Sequence, residues 1–507
     1  MKKTLYILLL LPCMIAFNGC KDWLTILPEN EQTSDKFWKS KEEVLAVLNA
    51  GYVKFRNAVP TIFEWGELRG GSIRGNTTTL VEFRVTPSSS VCDWSALYQA
   101  INMANSVLTY APQVIMIDET FEEPVMNSYM AEAYFIRALS YFYLIRNFKE
   151  VPLITIPYVD DSEPYEKAAS PESEVIAQIK TDIRLALETK AAKAFFPKEW
   201  ETKGRATKWA LYALMADVCL WDEDYDNAIV HCNNILEGGT YMPQFIQDPL
   251  EWFTMYYPGN SSESIFEVQW DMAVDANQKN ALCDRVGTTG ANYYYTPWMV
   301  QQWVEESNIR LLDPTFGRGL YGSYVTDREK NNGGEVTEGY VWKYYGGGAH
   351  SADNKRARAD ANYIIYRVAD VMLMKAEALT LLGGSSRWHE ALALVNQVRT
   401  RSSLANAQIE EGEIDEESVL EIILTERCME LAGEGKRWYD LLRFAKRNNY
   451  KYKERFLINK VMESTYASPS WVRSVLLDNN AHYLPISAKE LLANPLLVQN
   501  PYYEVGK

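Results

Sequence analysis

Two stretches of this chain repeat one pattern, and that repetition limits the fold more than any other feature. Between residues 205 and 240, small or apolar side chains fall at Tyr212, Met215, Ala216 and Cys219, then at Ala228, Cys232 and Ile235, around a turn at Asp224-Tyr225-Asp226-Asn227. Those offsets are the offsets of a tetratricopeptide helical hairpin. A second copy runs from Met374 to Arg401, with Ala376 and Leu379 ahead of Ala391, Val395 and Val398. Its inter-helix turn reads about three residues longer. A lone hairpin cannot bury its apolar face, so further copies with weaker patterns are expected. The segments 40–56, 94–110, 126–148 and 173–189 are the nominated partners. The expected fold is therefore mainly α.

Helix signals support those nominations. Ser40 followed by Glu43 forms a capping box, and Val44, Leu48, Tyr52 and Phe55 continue at helical spacing. Between 126 and 148 the apolar residues cover most of the girth, which predicts a helix inside a helical layer. Residues 58–92 carry scattered Gly, Pro, Thr and Ser and read as loop or short strand. Residues 241–361 lose helical periodicity, apart from one helix beginning near Pro297, and are rich in Trp, Tyr and Gly. A loop region of that length within a compact domain is usually functional. After the second repeat, helices are expected from Glu421 to Ala432 and from Trp438 to Lys446, and 362–382 reads as helix. Ser487 and Glu490 read as a late capping box.

The beginning of the chain carries a different kind of information. Lys2 and Lys3 precede an apolar run from Leu5 to Ala16, and Gly19 stands directly before Cys20. This is the layout of an export signal covering residues 1–19. The run is too short to span a bilayer, which needs roughly 20 apolar residues. A cysteine at such a junction is expected to be acylated, so that Cys20 becomes a lipid anchor. An ordinary signal with a chance cysteine is the competing reading. Cleavage leaves 507 − 19 = 488 residues and moves the net charge from −16 to −18, because Lys2 and Lys3 depart. A chain this acidic has no natural affinity for nucleic acid or an anionic membrane surface. Five cysteines remain beyond Cys20, without a Cys-x-x-Cys pair, so neither a disulfide framework nor a zinc site is indicated.

Several stretches, taken in order, resemble the SusD/RagB family of outer-membrane nutrient-binding lipoproteins. They are Cys20-Lys21-Asp22-Trp23-Leu24 with Pro28; Ala133 to Ala138 through Val151-Pro152-Leu153; Gly204-Arg205-Ala206-Thr207; Tyr366-Arg367 through Lys375 to Ala378; Asn396 through Arg399 with Arg401; Glu426-Arg427 through Glu434 to Leu441; and Leu484-Pro485-Ile486 through Asn494-Pro495 and Gln499-Asn500-Pro501. The resemblance implies one SusD-like domain over 20–507. A tetratricopeptide-like scaffold would occupy about 35–240 and 362–447, a loop-rich ligand-binding part about 241–361, and a closing segment 448–507. It also implies a place on the cell surface at the outer membrane, held by the lipid on Cys20. The implied partner is a SusC-like TonB-dependent transporter and the implied cargo a glycan, with a peptide as the alternative.

The residue chemistry agrees with binding better than with turnover. A sugar ring offers a face of C–H bonds to an aromatic face, and its rim hydroxyls need planar donors and acceptors. The candidates are Trp65, Arg69, Arg74, Trp270, Tyr293, Tyr294, Tyr295, Trp298 and Trp342, with about three expected to touch ligand and the others to be structural. Adjacent tyrosines in extended backbone alternate sides, so at least one of Tyr293, Tyr294 and Tyr295 is expected to face outward. The acidic and basic residues from Glu426 to Asp440 read as helix-end ion pairs rather than a carboxylate pair of a hydrolase. No Gly-x-Ser-x-Gly, His-Glu-x-x-His or phosphate loop is present, and no cofactor or metal is expected. A lipid-anchored glycoside hydrolase is the remaining, third reading.

Overall fold

The computed structural model describes residues 37–75, 78–160, 164–286, 292–310, 317–326, 339–348, 353–410 and 412–504. The export signal, Cys20 and the leader up to residue 36 lie outside them. Helices of eight residues or more are numbered here in chain order. They are α1 (Lys41–Glu67), α2 (Ser95–Val114), α3 (Glu123–Phe148), α4 (Glu172–Glu188), α5 (Lys208–Trp221), α6 (Tyr225–Leu236), α7 (Pro297–Asn308), α8 (Val368–Leu382), α9 (Ser385–Arg401), α10 (Glu416–Glu430), α11 (Arg437–Tyr450) and α12 (Pro469–Leu476). The fold is mostly helical.

Four antiparallel pairs make the scaffold: α1 with α2, α3 with α4, α5 with α6, and α8 with α9. They stack in series, since α2 packs on α3, α4 on α5, and α6 on α8. Each pair covers the apolar face its neighbour cannot bury alone. In α5, Ala213, Ala216 and Cys219 are buried, as are Ala228, Cys232 and Ile235 of α6. The fourth hairpin differs from the sequence expectation, because its turn is not longer than that of the third. Only Gly383 and Gly384 separate α8 from α9, both at positive φ, whereas Asp222–Asp224 separate α5 from α6.

Other boundaries also move. Ser40 caps α1 as expected, accepting from the Glu43 N–H at 3.4 Å while Glu43 accepts from Ser40 at 3.1 Å. The helix then continues through Pro60 to Glu67, into the stretch read as loop. Burial of Val59, Ile62, Phe63 and Trp65 offsets the hydrogen bond that proline cannot donate. The 362–382 stretch begins as strand rather than helix. Tyr363–Arg367 is a wholly buried strand, and its β-branched and aromatic residues pack on both faces before α8 begins. Ser487 accepts from Lys489, and no capping box forms there.

The irregular region is not all loop. The strands are β1 (Ile73–Gly75), β2 (Ser264–Val268), β3 (Tyr293–Tyr295), β4 (Tyr324–Thr326), β5 (Gly339–Val341) and β6 (Tyr363–Arg367). β2 pairs with β6, and an antiparallel sheet of order β1-β3-β5-β4 forms beside α1 and α7. A buried charge network ties this region to the scaffold. Glu430 accepts from Arg367 at 2.7 Å and Arg401 at 2.6 Å, Glu434 from Arg367 at 2.9 Å and Lys343 at 2.7 Å, and Glu426 from Arg318 at 2.6 Å. The acidic cluster is thus structural: Asp440 pairs with Arg443 one turn on in its own helix at 2.9 Å, but the partners of the three glutamates come from β6, α9 and the irregular region. Burial pushes the Glu430 carboxyl up, but Arg401, Arg367, Arg318 and Lys343 around it outweigh that and hold it well below the usual range.

Candidate functional site

The candidate site is the outer face of the four-stranded sheet. Residues opposite each other on paired strands share a face, and neighbours along a strand alternate. Arg74 of β1 lies opposite Tyr294 of β3. Tyr295 lies opposite Gly339, which puts Tyr340 of β5 on the Tyr294 side, and Tyr340 in turn lies opposite Val325 of β4. One row therefore crosses the sheet as Arg74, Tyr294, Tyr340 and Val325. Val325 is covered by a satellite core around Trp252, Phe253 and Trp342, while Arg74, Tyr294 and Tyr340 are half-buried.

The row is extended from the C-terminal part of the chain. The Arg74 guanidinium lies 4.8 Å from the ring centre of Tyr466 and 5.9 Å from that of Tyr294, whose ring is 5.4 Å from Tyr340. Tyr466 is 53% exposed. Five residues on, in the first turn of α12, Trp471 is 40% exposed, and its indole N–H donates to the Glu82 carbonyl at 2.8 Å. That bond fixes the ring, and the Arg84 guanidinium lies 6.0 Å from its centre. The result is a largely pre-formed strip of aromatic faces with a planar cation inserted between two of them. Guanidinium–ring contacts at exposed sites contribute about 0.5–1 kcal/mol each, enough to hold the arrangement in water.

The other sequence candidates divide by burial. Trp298 is half-buried and lines a cavity of about 240 Å³ together with Gln302, Arg437 and Lys460. Six candidates present no open face, and for each the expectation of a loop-borne contact gives way to a role in the core. Trp65 donates to the Val91 carbonyl at 2.7 Å and packs edge-on against Phe148. Arg69 donates to the His482 carbonyl and to Asn147, both at 2.9 Å, and lies over Trp438; burial pulls its pKa down to about 10. Trp270 is buried beside the β2–β6 pair, its backbone N–H on Asn362 at 3.2 Å. Trp342 is buried with its N–H on the Gly348 carbonyl at 2.9 Å. Tyr293 and Tyr295 point inward as alternation requires: the Tyr293 hydroxyl donates to Glu64 at 2.6 Å, and Tyr295 packs edge-on against Trp303.

Sequence reasoning missed Tyr340, Tyr466 and Trp471. Tyr340 sits in a three-residue strand, too short to display a period. Tyr466 and Trp471 belong to the segment read only as closing the chain, although Ser468-Pro469 is a helix-start signal that places Trp471 in a first turn. Among the described residues no group of three or more His, Cys, Asp or Glu side chains could hold a metal ion. His482 is buried with Nε2 at 2.9 Å from the Leu476 carbonyl, and burial lowers its pKa to about 4.

Comparison with known proteins gives a consistent picture. The model of the SusD family matches residues 290–503, and a SusD-like model described as starch-binding and associating with the outer membrane matches residues 67–220. A SusD-like protein, P38, of Formosa agariphila is 26% identical over 93% of this chain and 96% of its own length. Among solved structures, a SusD superfamily protein from Bacteroides thetaiotaomicron superposes with a TM-score of 0.73 at 20% identity, covering 92% of this chain and 99% of the other. A laminarin-binding SusD-like protein does so with a TM-score of 0.65 at 24% identity, covering 92% of this chain and 100% of the other.

Proposed function

The chain belongs to the SusD/RagB family, and from that premise we propose that it is a non-catalytic glycan-binding lipoprotein that delivers its cargo to a SusC-like TonB-dependent transporter. The observation that carries this reading is the strip of half-buried Arg74, Tyr294 and Tyr340, extended by the exposed Tyr466. Ring faces suit the C–H face of a pyranose, and the Arg74 fork suits adjacent hydroxyls. The laminarin-binding relative shares the fold and supports a neutral glycan as cargo. In this reading the ligand face is built from residues 241–361, joined by β1 and the segment 448–507. Acylated Cys20 holds the protein to the outer membrane on the cell surface, and a Cys20→Ala variant is expected in the soluble fraction.

A shallow stacking strip binds weakly, so affinity is expected to be micromolar or poorer for a short oligosaccharide and to rise with chain length. Replacing both Tyr294 and Tyr466 by Ala is expected to weaken glycan binding by about tenfold or more, since each stacked ring contributes on the order of 1 kcal/mol. Isothermal titration of the double variant measures this. Unchanged affinity would remove the strip from the site.

A further inference from the structure

A second binding surface lies on the fourth hairpin and shares no residue with the strip. A groove of about 960 Å³ runs between the outward side of α9 and the segment 406–409 with Ile414, and Phe245 and Gln247 also line it. Its wall is pre-formed. The Asn396 side chain accepts from the Ala407 N–H at 2.8 Å and donates to the Ala407 carbonyl at 3.3 Å, and Arg399 donates to the Ala405 carbonyl at 3.0 Å. The segment is thereby pinned to the helix at two points, so a ligand would meet a shaped surface and the ordering cost would be small.

The lining chemistry is distinctive for a chain of net charge −16. Among the described residues, no carboxylate and no lysine lines the groove. Its one guanidinium, Arg401, is buried and neutralised by Glu263 at 2.7 Å and Glu430 at 2.6 Å. Exposed amides at Gln247, Gln397, Asn406 and Gln408 supply planar donors and acceptors. His389 Nδ1 lies 2.7 Å from the Ser385 carbonyl, which requires the proton on Nδ1 and leaves Nε2 as an acceptor in the neutral ring. Leu392, Ile409 and the half-buried Phe245 supply apolar surface between these groups. We infer that this groove is a second saccharide site, for an uncharged polyhydroxyl chain, which lets a long polysaccharide engage one molecule at two places. The inference rests on the glycan-binding reading above. A second weak site on the same ligand raises overall affinity through effective concentration without any new contact at the first.

The experiment uses the full protein with laminarin, soluble starch and a neutral xylan as probes. In the Tyr294→Ala/Tyr466→Ala background, residual polysaccharide binding is expected, together with protection of the backbone amides of 404–410 from hydrogen exchange. Adding Thr400→Trp, which fills the groove from the exposed side of α9, is expected to remove both. In the otherwise unaltered protein, Gln397→Ala/Gln408→Ala is expected to weaken polysaccharide binding by about tenfold, as two lost hydrogen bonds imply. A strip variant that binds no glycan while the parent does, or groove variants that bind like the parent, would overturn the second site and leave the glycan reading standing. Protection of 404–410 by unfolded casein alone would overturn it in favour of a peptide groove. A parent protein that binds none of the three polysaccharides would overturn both readings.

Discussion

Gly66 and Glu67 end α1 against the turn that carries Gly433, Glu434 and Gly435. A Cβ on Gly66 would lie 2.1 Å from the Gly435 carbonyl oxygen, so only glycine allows this approach. It brings Glu67 Oε1 to 2.7 Å from the Gly435 N–H, which donates to it, while Oε2 has no hydrogen-bond partner among the described residues. Burial is the largest influence on this carboxyl and pushes its pKa up to about 8, although two backbone N–H donors and Lys343 pull the other way. The folded state therefore holds a proton that the unfolded chain releases near the ordinary carboxyl value. Stability is full below that value and falls as pH rises towards 8, by at most about 1.4 kcal/mol per pH unit. Glu67→Gln keeps the acceptor and is expected to flatten the loss. Urea midpoints at pH 5.5 and 8 compare the two proteins, and an unchanged slope in the variant would show that Glu67 is ionised. None of this was legible from the sequence, where Glu67 stands among loop-like residues. The Glu426–Asp440 cluster was legible as structural, but its partners were not, because Arg318, Arg367 and Arg401 reach it from distant parts of the chain.

Among the elements, β3 shows what a local rule can and cannot deliver. Three adjacent tyrosines in extended backbone must alternate, so one outward ring could be anticipated. Which face is outward depends on pairing with β1 and β5, and those strands are too short to read. Stability should separate the two faces. Tyr295→Ala removes a fully buried ring and is expected to cost about 3–5 kcal/mol, as large-to-small changes in packed cores do. Tyr294→Ala is expected to cost under about 1 kcal/mol, because its ring is partly in water. Chemical denaturation of both variants measures the difference; equal losses would contradict the assigned burial difference, and a larger loss for Tyr294→Ala would mean that the sheet faces have been assigned the wrong way round. The long helices were legible because their periods extend over many turns. The extension of α1 past Pro60 was not, since burial of Ile62, Phe63 and Trp65 overrides the local signal.

At the scale of the whole molecule, two readable hairpins implied an array, and four stacked hairpins are present. The excursion between the third and fourth returns to the scaffold through Arg367, Arg401 and the buried glutamates, so the sheet that carries the strip rests on a fixed base. The array was legible in the sequence, and so was the aromatic character of the excursion. The surface that results was not, because it joins β1, β3 and β5 to the segment around Tyr466 and Trp471. The most direct test of capture without turnover is to incubate the purified protein with a panel of neutral polysaccharides and with denatured protein, assaying reducing ends in the same tubes. Retention by one class of glycan with no new reducing ends is expected. Retention by denatured protein alone, or the release of reducing ends, would contradict a non-catalytic glycan-binding protein.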